Sequence, residues 1–162
     1  MSKLALFPYL AATALLGSCT MTQPSDPATK LMFVDDVLNN WHADASAGRF
    51  ESYFDAMTDN SVFLGTDATE RWTKEEFMGY AREPFSDGNG WTYTPSDRFV
   101  AFDEDGDTAW VDELLTNEKY GTLRGTAVLR LVGNDWKIAH YSLTFLVPNE
   151  KAADVVRVIA DN

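Results

Sequence analysis

Several side chains in this sequence have types and spacing suited to chemistry. Asp67 and Glu70 fall in one short polar segment, and Arg124 stands beside a glycine, Gly125, in a later stretch of alternating residues. An arginine grips carboxylates through paired hydrogen bonds. The neighbouring glycine would let another group approach the backbone closely. Two readings follow: an ion pair of Arg124 with Asp67 and Glu70 that fixes their loop, or an Arg124 anchor for an anionic ligand. His140 lies in the last alternating stretch, on the same parity as Trp136, Ile138 and Ser142. If that face lines a pocket, His140 is placed to act as a general base near neutral pH. Asp112 and Glu113 are neighbours, so on a strand they point to opposite faces, and one alone can face a pocket. A carboxylate buried there has its pKa raised and can shuttle a proton. Trp41, Trp72 and Trp91, with Phe54, Tyr93 and Trp110, offer apolar walls for a ligand, or simply core.

Other chemistries are excluded. The single cysteine rules out an internal disulfide and a cysteine-based zinc site, and two histidines are too few for a multi-histidine metal centre. Asp103-Glu104-Asp105-Gly106-Asp107 has the look of a calcium loop. Its glycine is out of place and its twelfth residue is Leu114 rather than Glu, so it reads as a solvated turn. No phosphate loop, G-x-S-x-G elbow or HExxH helix is present, and no cofactor or metal is expected. The net charge of −12 makes nucleic acid a poor partner.

The elements that must position these residues follow from periodicity. Asp26-Pro27 is a helix-start signal, and Leu31, Val34, Leu38, Trp41 and Ala45 form one helical stripe that Gly48 ends. Arg49 to Met57 reads as a second helix with Phe50, Phe54 and Met57 inward. A turn at Thr58-Asp59-Asn60 leads to a short strand, Ser61 to Gly65. Thr73 and Glu76 fit a capping box opening a third helix with Phe77, Tyr80 and Ala81, ending near Pro84. After the loop Asp87-Gly88-Asn89-Gly90 the period changes to that of strands. These run from Trp91 to Phe102, Thr108 to Thr116, Thr122 to Val132 and Trp136 to Val147, with tight turns between them. Helices early and a meander late argue an α+β fold, and Lys151 to Ala160 reads as a terminal helix.

The first residues form an address. Lys3 precedes an apolar run from Leu4 to Leu16, too short to span a bilayer and shaped like a secretory signal. Leu16-Gly17-Ser18-Cys19 resembles the bacterial lipobox. That resemblance implies cleavage before Cys19 and lipidation of its thiol. Thr20, which is not aspartate, implies by the same resemblance the outer membrane, facing the periplasm. The expected organisation is a lipoprotein signal peptide over 1–18, then lipidated Cys19 and a polar tether over 19–28. A folded domain over 29–148 and a helix or tail over 149–162 complete it.

The order of elements, with Phe63-Leu64-Gly65-Thr66-Asp67-Ala68-Thr69-Glu70-Arg71-Trp72, Ala109 to Leu115, Arg124 to Leu129 and Trp136 to Tyr141, resembles the SnoaL-like domains of the nuclear transport factor 2-like superfamily. The resemblance implies a cone-shaped fold, a curved antiparallel sheet packed on N-terminal helices, with a pocket between them and a homodimer through the sheet. The superfamily hosts isomerase-, cyclase- and dehydratase-like enzymes and members without assigned chemistry, and a fold alone selects none of them. The first functional expectation is an envelope protein holding a small, partly apolar ligand. Its ligand-binding residues are Trp41, Asp67, Glu70, Trp72, Trp91 and Arg124. The alternative is a proton-transfer or hydrolytic enzyme with His140, Asp112 or Glu113 as base and Arg124 orienting substrate. A purely structural protein, with the cone closed by side chains, is the third.

Overall fold

The computed structural model describes residues 26–88 and 90–161. The expected signal peptide, Cys19 and the tether up to residue 25 lie outside the described residues, as does Asn89 in its loop.

Helix α1 (Pro27–Ser46) starts as its sequence dictates: the Asp26 side chain accepts the Thr29 N–H at 3.1 Å and Pro27 needs no donor partner in the first turn. It buries Val34, Leu38, Trp41, His42 and Ala45, whereas Leu31 is half-exposed. Gly48, at φ 63°, lets the chain turn away. Helix α2 (Phe50–Asp55) leads into strand β1 (Met57–Leu64), which begins at the residues expected to form a turn. Strand β2 (Arg71–Thr73), too short to register as a period, returns antiparallel to β1. Helix α3 (Lys74–Ser86) is opened by the capping box: Thr73 and Glu76 each satisfy the other's backbone N–H. It continues past Pro84 into its last turn.

Strands β3 (Thr94–Phe102), β4 (Thr108–Asn117), β5 (Gly121–Val132) and β6 (Asp135–Phe145) form the meander. The sheet order is β2-β1-β6-β5-β4-β3. β1 pairs with β6 in parallel, so the sheet is mixed, not wholly antiparallel as expected. The difference arises because β1 enters from the helices and runs alongside the meander's last strand. Helices α1 to α3 cover the inner face, where Val111, Leu115, Leu123, Leu129, Ile138 and Tyr141 are buried. A short 3-10 turn (Asn149–Lys151) and helix α4 (Ala152–Ala160) follow.

Two bulges decide which side chains reach the inner face. On β6 the partners of Val128 and Leu129 are His140 and Ile138, so Ala139 is an extra residue. Before it Trp136 and Ile138 face inward; after it Tyr141 and Leu143 do. On β3 the register shifts between Ser96 and Phe99, and Asp97 takes a left-handed φ of 44°. That extra residue sets Arg98 opposite Glu113.

Candidate functional site

Strand β4 alternates so that Ala109, Val111, Glu113 and Leu115 point inward and Asp112 points to the exposed outer face. Glu113 is 1 % exposed, and a buried carboxylate needs partners for every lone pair it keeps ionised. It has them. Its Oε1 receives the Tyr141 hydroxyl at 2.9 Å and lies 2.8 Å from His42 Nε2. Its Oε2 accepts Arg98 Nε–H at 2.8 Å, with Nη2 in ionic contact at 2.7 Å. Arg98 Nη1 also donates to the Asp35 carboxylate at 3.1 Å and to Asn39 at 3.0 Å, tying α1 to β3. Burial pushes the Glu113 carboxyl up, but His42 and Arg98 outweigh it and hold it below its ordinary value. An ionised carboxylate accepts and cannot donate, so the proton of the contact sits on His42 Nε2. In a neutral imidazole the lone pair is then on Nδ1.

His42 also lines an inner cavity of about 10 Å³, room for one water, with Trp41, Tyr53, Phe63, Trp91 and Tyr141. Trp41 and Tyr53 stack at 4.7 Å, yet the Trp41 indole N–H and the Tyr53 hydroxyl have no well-formed hydrogen bond. Burial pushes the Tyr53 hydroxyl well above the ordinary tyrosine value, so it stays a donor. Above this cavity, and sharing Phe63, Trp91, Tyr93 and Leu143 with it, opens a cleft of about 190 Å³. Trp72, Phe77 and Tyr80 form one wall as a stack: Trp72 lies on Phe77 at 5.5 Å and on Tyr80 at 4.7 Å. Helix α3 supplies Phe77 and Tyr80 from adjacent turns, and β2 sets Trp72 beside them.

The expected site residues divide by location. Trp41 and Glu113 lie at the base of the site, and Glu70, Trp72 and Trp91 line the cleft. Asp67 is exposed, and its carboxylate accepts the Thr69 N–H at 2.8 Å and the Thr69 hydroxyl, closing its own loop. Arg124 belongs to the outer face, because on β5 Leu123, Gly125 and Ala127 point inward. Among the described residues it forms no ion pair with Asp67 or Glu70. Asp112 shares that outer face, as does Trp110 at 50 % exposure. His140 is half-buried there too: the Ala139 bulge separates it from the inward parity of Trp136 and Ile138. Sequence reasoning missed His42 and Arg98. His42 stands four residues after Leu38 on the buried stripe, a signal that was present; Arg98 carried none without the bulge. Asp103 closes its turn by accepting the N–H groups of Gly106, Asp107 and Thr108. Among the described residues no group of His, Cys, Asp and Glu is placed to share a metal ion, and no helix is long and apolar enough to cross a membrane.

A curved six-stranded sheet with helices on its inner face and a cleft between them is the architecture of the nuclear transport factor 2-like superfamily. Within it, the SnoaL-like domain profile matches residues 34–148, and the chain belongs to that family. An NTF2-like protein of unknown function from Pseudomonas putida KT2440 superposes with a TM-score of 0.63 at 14% identity, over 78% of this chain and 92% of that one. A protein from Novosphingobium aromaticivorans DSM 12444, provisionally named a scytalone dehydratase, gives 0.62 at 11% identity, over 74% and 86%. One from Xanthomonas campestris, provisionally named a calcium/calmodulin-dependent protein kinase II association domain, gives 0.55 at 19%, over 78% and 94%. At these identities the likeness is one of fold. No curated protein matches the sequence.

Proposed function

We propose that this domain binds a small, largely apolar molecule in the cleft between Trp72, Tyr80, Trp91 and Tyr93. The observation that carries this is a cleft walled by aromatic rings over a charged floor that is already paired: Glu113 meets His42, Tyr141 and Arg98 inside the protein. At about 190 Å³ the cleft is smaller than a drug-sized site, which sets the ligand at roughly one ring. Trp72 and Trp91 report occupancy by fluorescence. Titration with a panel of small compounds, neutral rings and small organic cations among them, should give saturable quenching. Tyr80→Ala should weaken it severalfold, since one aromatic contact is worth about 0.5–1.5 kcal/mol. Absence of saturable binding across the panel, or binding indifferent to Tyr80→Ala, removes the proposal.

One observation favours a second reading, proton transfer. The His42 imidazole, held by Glu113, lines the inner cavity beside Trp41 and Tyr53, whose donors have no well-formed hydrogen bond. A ligand carbonyl reaching those donors would be polarised, and His42 Nδ1 would serve as the base in place of His140 or Asp112. Solvent deuterium should then enter a small cyclic enone such as cyclohexenone, and His42→Gln should abolish it. Exchange no faster than in buffer removes this reading.

Two further proposals concern placement. The sequence at Leu16 to Cys19 supports a lipid on Cys19, holding the domain to the outer membrane on its periplasmic side. Cys19→Ser should release the protein from the membrane fraction. Exposed Phe99 and Trp110 on the outer sheet face support a homodimer through that face. The Xanthomonas relative, named as an association domain, agrees with that reading.

A further inference from the structure

Among the described residues Glu70 is the one carboxylate that lines the aromatic cleft, and neither lysine nor arginine lines it or the cavity below. Its placement is built. The backbone N–H of Gly65 bonds the Glu70 carbonyl at 2.8 Å, and the Glu70 side chain folds back over Gly65, where any Cβ would collide with its Oε2. The Asp67 N–H reaches that Oε2 at 3.1 Å. Among the described residues no cation forms an ion pair with Glu70, and Arg71, the next residue, alternates to the exposed face of β2.

Around this carboxylate stand Trp72, Tyr80, Trp91, Tyr93 and Tyr120. Burial, then Tyr120, Tyr80 and Glu70, push the Tyr93 hydroxyl up to about 12, so it remains neutral. The net charge on the cleft wall is therefore that of Glu70. Any ligand that fills the cleft covers this group. An anion would face an unpaired carboxylate without a compensating charge, and a neutral hydrocarbon would strip its water and offer nothing back. A cation does neither, and aromatic faces attract it through their quadrupoles. The fold already makes one such contact at the rim, with Lys119 Nζ 4.8 Å from the Tyr120 ring centre. A chain of net charge −12 draws cations towards it.

We infer that the cleft is a binding site for a small organic ammonium ion, seated among Trp72, Tyr80, Trp91, Tyr93 and Tyr120 and paired with Glu70. This rests on the ligand-binding reading above and names its ligand class. The volume of about 190 Å³ admits a choline-sized ammonium head.

The test uses the purified full chain, with choline and dimethylbutanol, in which carbon replaces the ammonium nitrogen, titrated by tryptophan fluorescence and calorimetry. Choline should bind at least about tenfold more tightly than the alcohol, the range of a desolvated cation–aromatic contact. Glu70→Gln, which keeps size and the Asp67 contact, should cut that preference severalfold and leave only the part due to the rings. If the alcohol binds as well as choline, or cyclic neutral compounds bind and choline does not, the ammonium assignment is overturned while the cleft remains a ligand site. A preference undiminished by Glu70→Gln overturns the role of the carboxylate. If no compound of either panel binds, both readings fail.

Discussion

The hydroxyl of Tyr141 occupies the space in which a side chain at position 125 would begin. Gly125 lies on β5 and Tyr141 on β6, and the absent Cβ is what lets the phenol lean across β5 to reach Glu113 at 2.9 Å. The close approach expected at this glycine is thus made by Tyr141, not by a partner of Arg124. Gly125→Ala should displace the phenol and destabilise the domain by about 1–3 kcal/mol in urea denaturation. In a Tyr141→Phe background the same substitution should cost measurably less, because the hydroxyl is gone. Equal cost in both backgrounds would contradict the relationship.

Glu113 contributes to the acid side of the stability curve. Its folded pKa lies below its ordinary value of 4.5, so its contribution is complete above about pH 4.5 and is lost as pH falls through the folded value. Exposed Asp26, Asp67 and Glu76, and half-buried Asp103, are shifted the same way by local hydrogen bonds, which outweigh what burial they have. Glu113→Gln leaves Arg98 and His42 facing a neutral group and should cost about 3 kcal/mol at neutral pH. The gap between variant and wild type should narrow as pH drops below about 4.5. Parallel stability curves down to the acid limit would show that the ionised carboxylate contributes nothing.

Asp97 sits in the left-handed region at φ 44°, and this residue delivers Arg98 to Glu113. Asp97→Gly should be neutral or slightly stabilising. Asp97→Val should cost about 1–2 kcal/mol, since a branched Cβ resists that conformation. If Asp97→Val is as stable as wild type, the bulge is not the device that aims Arg98.

The outer sheet face and the cleft should respond to different substitutions. Arg124→Ala, Asp112→Asn and His140→Ala alter the outer face and should leave ligand affinity in the cleft unchanged within about twofold. If the proposed homodimer forms through that face, Trp110→Asp, at a residue 50 % exposed there, should convert it to monomer in sedimentation velocity, and a monomeric wild type removes the proposal. A ligand affinity that falls with Arg124→Ala would contradict the inner and outer assignment.

How far the sequence was legible depends on how local each determinant is. The Thr73–Glu76 capping box, the Asp26-Pro27 start and the meander's turns are written within a few residues, and each formed where expected. Parity was harder. Asp112 and Glu113 could be placed on opposite faces, but which one turned inward was fixed by β3, β5 and the helices together. For His140 simple alternation failed, because a single inserted residue, Ala139, exchanges the faces of a strand midway. Arg98 reaches the site through a bulge with no sequence signature, so the main cationic partner of Glu113 stayed hidden.

The parallel pairing of β1 with β6 carries a consequence for how the chain folds. Met57 and Val62 wait for Ile138 and His140, so β1 keeps an open edge until the last strand joins the sheet. Closure of so long a loop places folding among the slower, non-local topologies. A chain lacking β6 would present Met57 and Phe63 on a sticky, unfinished strand, the kind of unpaired edge that invites aggregation before closure.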